Sequence, residues 1–213
     1  MKVAICPVTP FRQNACVIWD PETMVGALTD PGGEKERLLE VAEKHEVKLE
    51  KILVTHGHMD HAGAVLDISE ELGIPIEGPQ KEETFWLDRL GDQGERYGIT
   101  ARTFTPDRWL EDGDEVTVGG MTLGVRHCPG HTPGHIIFFH EPSRIAIVGD
   151  VLFHGSVGRT DFPRGNHKQL ITSIREKLWP LGDDMTFVPG HGQTSTFGNE
   201  RKMNPYCSDF VEI

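Results

Sequence analysis

The chain has 213 residues, of which 37% are hydrophobic and 25% charged, and its formal net charge is −12. That length suits one sizeable αβ unit with little left for a second, and the composition is that of a globular chain, not a disordered or membrane-embedded one. The acidic balance argues against nucleic acid as the main partner, since phosphate binding needs a basic footprint, and no apolar stretch approaches the ~18 residues that cross a bilayer.

From the N-terminus, Met1–Cys6 is apolar for only a few residues before Pro7, too short for the core of an export signal. A cytoplasmic location is therefore expected. Apolar runs place strands near 3–8, 15–19 and 24–29, the last ending in the turn Asp30-Pro31-Gly32-Gly33. A helix follows over 34–46, with Leu38, Leu39, Val41 and Ala42 as its apolar face. The run Ile52-Leu53-Val54 predicts a buried strand over 51–55, then a helix over 62–72 and a short strand over 74–77. Phe85, Trp86, Leu87 and Leu90 predict a helix over 81–97 that turns these side chains into the core. Glu115–Val118 and Met121–Val125 alternate about Gly119-Gly120, the pattern of a hairpin. Strands near 136–140 and 144–148, a helix over 166–178, a strand over 185–188 and a helix over 198–203 complete the chain.

Strands and helices thus alternate twice in succession. This suits two packed sheets with helices on both outer faces, an αββα sandwich of the α/β (α+β) class. With no repeat or polar linker, one domain over residues 1–213 is expected. Cys6, Cys16, Cys128 and Cys207 show no CxxC spacing and read as reduced packing or surface thiols. Cys128 lies three residues before His131, which is the better ligand at that turn.

The chemistry concentrates at the ends of strands. Directly after Val54-Thr55 stand His56, His58, Asp60 and His61. His56 and His58, two apart on an extended segment, face the same way. Asp60 and His61, after the chain turns, face a neighbouring position, so one turn offers donors for two adjacent metals. Later segments repeat the logic: Pro129-Gly130-His131-Thr132-Pro133-Gly134-His135 holds His131 in a rigid turn. Val148-Gly149-Asp150 ends a strand in a carboxylate able to bridge two cations, and Val188-Pro189-Gly190-His191 ends one in an imidazole. His56, His58 and His131 form one site, Asp60, His61 and His191 a second, and Asp150 bridges. The cations' surplus charge over Asp60 and Asp150 favours deprotonating a shared water, giving a hydroxide nucleophile near neutral pH. His135 stands either behind a ligand, steering it, or in plain packing. His45, His140 and His167 read as ordinary polar residues.

The set from Thr55 to His61, with the His131 turn, Gly149-Asp150 and Pro189–Gly192, resembles the metallo-β-lactamase superfamily of hydrolases over essentially the whole chain. The segment Gly155–Gly165, with Thr105–Trp109 and Phe197–Tyr206, resembles more narrowly the short bacterial form of the glyoxalase II-like branch. That resemblance implies a metallo-β-lactamase fold and two divalent ions, Zn2+ first, with Fe or Mn as alternatives. It implies hydrolysis of S-(2-hydroxyacyl)glutathione, chiefly S-D-lactoylglutathione, to D-lactate and glutathione in methylglyoxal detoxification. The partner would be that small-molecule glutathione thioester, with no nucleic acid and no membrane. A thiolate leaves readily, so no strong general acid is required. The long form of this branch has a C-terminal helical extension whose basic residues hold glutathione, and this chain is expected to lack it. Arg159 and Asp161 stand where the long form has a lysine and a tyrosine, which makes Arg159 the candidate substrate-binding residue, with Arg164 behind it.

A competing reading is a persulfide dioxygenase of the same superfamily, which shares the Gly-Arg-Thr-Asp-Phe segment and binds a single iron. Its last histidine sits in Ala-His-Asp, whereas this chain has Gly190-His191-Gly192, so the two-metal reading is favoured. Nuclease relatives need an RNA-binding arm, and secreted lactamases often carry cysteine where Asp150 stands.

Overall fold

The computed structural model describes residues 1–212. Its first sheet takes β1 (Lys2–Val8), β2 (Gln13–Trp19), β3 (Val25–Thr29), β4 (Lys48–Leu53) and β5 (Ile76–Glu77) in sequence order. The first three are antiparallel. β4 and β5 join in parallel after crossovers through α1 (Lys35–Lys44), and through α2 (Met59–Ala62) and α3 (Val65–Leu72). Two short helices follow, α4 (Thr84–Leu87) and α5 (Leu90–Tyr97).

The second sheet begins with β6 (Glu115–Val118), β7 (Met121–His127), β8 (Ile136–His140) and β9 (Ile145–Gly149), each antiparallel to the one before. A small ribbon, β10 (Leu152–Phe153) with β11 (Ser156–Val157), and the helix α6 (His167–Ser173) lead to β12 (Thr186–Pro189), which pairs in parallel with β9. The edge strand β13 (Ser195–Thr196) and α7 (Phe197–Met203) follow.

Alternate residues of the central strands divide among three apolar clusters, and this is what makes the layers. In β2, Cys16 and Ile18 face the other sheet, whereas Ala15, Val17 and Trp19 face Leu38, Ala42, Val65 and Ile68 of the helices. In β8, Ile136 and Phe138 point between the sheets, and Ile137 and Phe139 point to Leu170, Ile174 and Phe197 on the opposite outer layer. Across the second sheet Val125 lies opposite Phe138 and Phe138 opposite Ile147, one ladder of the inner core. Strands buried on both faces read as continuous apolar runs, and each fully buried large side chain contributes about 1.5–3 kcal/mol. The result is the expected αββα order. Among the described residues no helix is long and apolar enough to cross a membrane.

Helix boundaries depart from the sequence expectation at three places. The helix expected over 62–72 starts earlier, at Met59, and breaks at Gly63-Ala64. There the chain docks on the Asp30–Gly33 turn, with the Ala64 N–H donating to Pro31 O at 2.9 Å. The expected helix over 81–97 is a 3-10 turn, α4 and α5 in series. Arg89 N–H closes on Trp86 O, and the Gln93 amide takes the same carbonyl at 3.1 Å, so the helix cannot run through. In consequence Leu87 and Leu90 enter the core, but Phe85 stays half-buried under Arg89 and Arg164. The helix expected over 166–178 passes into a π-helical turn at Ile174–Leu178.

Candidate metal centre

Topology alone gathers the candidate ligands. β9 and β12 are parallel, and β7 runs the same way because β8 is antiparallel to both its neighbours. The C-terminal ends of β7, β9 and β12 therefore share one rim, and there the chain carries His131, Asp150 and His191. The β4 turn with His56, His58, Asp60 and His61 reaches the same rim: Thr55 O accepts from Ile136 N–H at 3.0 Å, and Gln13 of β2 bridges to His191.

All seven candidates come together. His56, His58 and His131 have donor atoms within 4.8 Å of one another, as do Asp60, His61 and His191. His58 Nδ1 lies 3.1 Å from His131 Nε2, and His191 Nε2 lies 3.2 Å from Asp60 Oδ2. Asp150 stands between the groups, Oδ1 at 3.3 Å from His61 Nε2 and Oδ2 at 3.5 Å from His131 Nε2. His56 Nε2 is buried without a protein partner, and His61 Nε2 and Asp150 Oδ1, also buried, have no well-formed hydrogen bond and face each other at 3.3 Å. Lone pairs desolvated and left facing one another are costly unless a cation takes them, so the residues fit divalent metal ions. Gly190 is required by this crowding, since a side-chain carbon there would overlap Asp150 Oδ1 and His61 Cε1.

The outer nitrogen of most of these rings is held by an oxygen, which sets the tautomer and aims the inner nitrogen at the centre. His131 Nδ1 donates to Arg159 O at 2.7 Å, His191 Nδ1 to Phe11 O at 3.1 Å, and His61 Nδ1 to Asp30 Oδ2 at 3.0 Å. His56 Nδ1 meets Thr55 Oγ1 at 3.0 Å, and Thr55 Oγ1 donates in turn to Asp30 Oδ2 at 2.6 Å. One buried carboxylate, Asp30, thus orients an imidazole of each group. His135 takes the steering position: its ring stacks on His56 at 4.5 Å, and its Nε2 accepts the Asp150 N–H at 3.0 Å.

Burial lowers His56 well below the ordinary imidazole value and lowers His58 to about 3, so both are neutral donors. At His61 burial acts the same way but is outweighed by the Asp150 carboxylate, with Asp30 and Asp60, and the ring is held well above its ordinary value. Asp60 and Asp150 remain ionised: burial opposes their charge, and the facing imidazoles lower both.

Sequence reasoning missed Glu83. It is fully buried between two ligand turns, Oε1 accepting the Gly57 N–H at 2.9 Å and Oε2 the Gly134 N–H at 2.7 Å. Burial pushes its pKa up to about 7. Its position in a run of charged residues signals only a solvated helix face. Asp30 was legible in principle, since Leu28-Thr29-Asp30 repeats the strand-then-carboxylate pattern of Val148-Gly149-Asp150. Cys128 stays outside the set, in the core beneath the second sheet, and burial raises its thiol pKa. All four cysteines are buried and free.

Above the donors lies a cavity of about 540 Å³. Trp86 and Phe162 meet His58 edge-on at 4.6 and 5.0 Å, and Phe153 meets His191 at 6.2 Å. Arg159 lines the cavity, but its guanidinium is ion-paired with Asp161 at 2.8 Å and lies over Phe162.

Comparison with known proteins agrees with this architecture. Residues 8–191 match the family described as the metallo-beta-lactamase superfamily. The chain is 44% identical to hydroxyacylglutathione hydrolase GloC of Haemophilus influenzae, over 98% of this chain and 99% of that one. Among solved structures, the BLEG-1 B3 metallo-beta-lactamase superposes with a TM-score of 0.88 at 32% identity, covering 97% of this chain and 99% of that one. TTHA1623 in a di-iron-bound form does so with a TM-score of 0.86 at 33% identity, over 96% and 100%. By sequence and by fold, the chain belongs to the metallo-β-lactamase superfamily and is one of its hydrolases.

Proposed function

We propose that the chain cleaves S-(2-hydroxyacyl)glutathione thioesters, S-D-lactoylglutathione foremost, to a 2-hydroxy acid and glutathione. The observation that carries the reading is the convergence of seven buried or half-buried donors whose inner lone pairs face one another beneath an aromatic-walled cavity. The similarity to a protein named hydroxyacylglutathione hydrolase supports the substrate class. His56, His58 and His131 would hold one divalent cation, Asp60, His61 and His191 a second, and the two oxygens of Asp150 would be shared. Zinc is the first candidate, with iron or manganese also suited to these nitrogen and oxygen donors. Bound there, the pair supplies an acidified water and a Lewis acid for the carbonyl oxygen.

The chain's own groups do the rest. Asp60 and Asp150, both ionised, keep negative charge beside the attacking water and accept hydrogen bonds from it. Asp30, Thr55 and the carbonyls of Arg159 and Phe11 keep the imidazoles aimed inward, so no reorganisation accompanies the reaction. Trp86, Phe153 and Phe162 exclude bulk water from the thioester. Water gives its hydroxyl to the acyl carbon and its proton to solvent, the C–S bond breaks, and the sulfur leaves as thiolate, which needs no strong acid.

The test is a substrate panel on purified protein with its metals quantified: S-D-lactoylglutathione, other thioesters, glutathione persulfide with oxygen uptake, and a lactam. Thioester cleavage should dominate. His58→Ala and Asp150→Ala should each lose about a thousandfold or more in kcat/KM and hold less metal. Full activity in either variant, or oxygen uptake in place of thioester cleavage, refutes the reading.

A further inference from the structure

Arg89, Asp92, Gln93, Arg96 and Tyr97 all line the cavity over the metal centre. Their positions follow i, i+3, i+4, i+7 and i+8, one face of the helix α5 and the residue before it, while Leu90 and Gly94 are buried on the other face. Gln93 fastens that face to the ligand turn, accepting the Met59 N–H at 3.2 Å and donating to Gly57 O at 3.2 Å.

The charges on this face differ in their pairing from many others on the molecule. Arg37, Arg102, Arg108, Arg144, Arg159 and Arg201 all pair with carboxylates. Arg89, Asp92 and Arg96 form no ion pair among the described residues, although their i+3 and i+4 spacing would allow one. Arg12, Arg126, Arg164 and Arg175 also form no ion pair among the described residues, but of the arginines that line the cavity Arg159 is paired and Arg89 and Arg96 are not. Arg89 lies over the Phe85 ring at 4.0 Å, with one guanidinium nitrogen donating to Phe85 O at 2.6 Å, and Arg96 lies over Tyr97 at 5.7 Å. Stacking of this kind steadies a guanidinium and leaves in-plane N–H groups for an anion.

We propose that this face of α5 binds the charged groups of glutathione, Arg89 and Arg96 taking its two carboxylates and Asp92 its ammonium. The inference rests on the thioester reading above and names how the thiol half of that substrate is held. Glutathione carries two carboxylates and one ammonium, and the face presents two guanidiniums with one carboxylate between them. The reach also matches. Seven residues of helix separate the arginines by about 10 Å, and an extended tripeptide spans on the order of 10 Å. Arg159, the candidate from sequence, is already neutralised by Asp161.

The experiment compares S-D-lactoylglutathione with the D-lactoyl thioester of N-acetylcysteamine, which has the same acyl group and no charges. In Arg89→Ala/Arg96→Ala, KM for the glutathione thioester should rise about tenfold or more while kcat holds, the mark of lost uniform binding. KM for the uncharged thioester should rise far less. Asp92→Ala should raise KM for the glutathione thioester alone, by about threefold. The proposal is overturned if KM for the glutathione thioester does not move, or if both substrates are affected equally, as a merely structural defect would do. Calorimetric binding of S-methylglutathione separates this proposal from the hydrolase reading. If wild-type protein cleaves neither thioester, the hydrolase reading fails; binding that the double variant loses then still supports the α5 site, and no binding by wild type overturns it.

Discussion

Glu83 holds the His56–His58 turn to the His131 turn through two backbone N–H groups, and nothing in its own stretch of chain announces that role. Its pKa near 7, against an ordinary 4.5, means that the folded protein keeps a proton which the unfolded chain gives up. Stability from this residue is therefore full below about pH 4.5 and declines as pH rises toward 7, by on the order of 3 kcal/mol. In Glu83→Gln the group cannot ionise, so denaturant unfolding of metal-free protein should lose that part of its pH dependence. An amide also keeps only one acceptor oxygen, which frees one turn, and cation affinity should fall about tenfold. An unaltered pH slope would remove Glu83 from this account. The candidate ligand histidines, by contrast, were legible from spacing at strand ends, because an imidazole with no amphipathic role draws notice wherever it stands.

At the scale of elements, strands were legible and helix limits were not. β2 and β8 are buried on both faces and contain unbroken apolar runs, from Ala15 to Trp19 and from Ile136 to Phe139. Phe138, 1% exposed between the sheets, is the clearest test: Phe138→Ala should cost about 3–5 kcal/mol, read as a lowered denaturation midpoint at unchanged slope. A loss below about 1 kcal/mol would contradict the close packing of the inner core. The segment 81–97 misled because helical spacing of aromatics looks the same whether they face a core or a cavity. Leu87 and Leu90 enter the core, while Trp86 lines the cavity against His58. The break after α4 depends on Gln93 reaching Trp86 O and Gly57 O, a contact between distant turns with no local signal.

At the scale of the molecule, the donors form one centre only because parallel strands of two sheets deliver their ends to a common rim. That centre concentrates like charges and unpartnered lone pairs, so a bound cation should stabilise the whole fold. At a thousandfold excess over Kd the gain is about 4 kcal/mol, and chelation should lower Tm by on the order of 10 °C. The carboxylates of Asp150, Asp30 and Asp60 raise the His61 pKa, so a cation taking Nε2 competes there with a proton. Metal uptake should therefore liberate protons and weaken as pH falls, which calorimetry in buffers of different ionisation enthalpy measures. Uptake without proton release would contradict that competition at His61.

The order of the longer strands and their connecting helices, the identity of seven candidate donors and their division into two groups follow from residue pattern alone, because buried strands and strand-end donors leave periodic, local marks; the short strands β10, β11 and β13 do not. The carboxylates that aim those donors, Asp30 and Glu83, and the charged face that α5 turns to the cavity were decided by tertiary structure. Asp30 and Glu83 act on groups at least 25 positions away in sequence and the α5 face on an open space; of the three only Asp30 leaves a local mark, a carboxylate at the end of a strand.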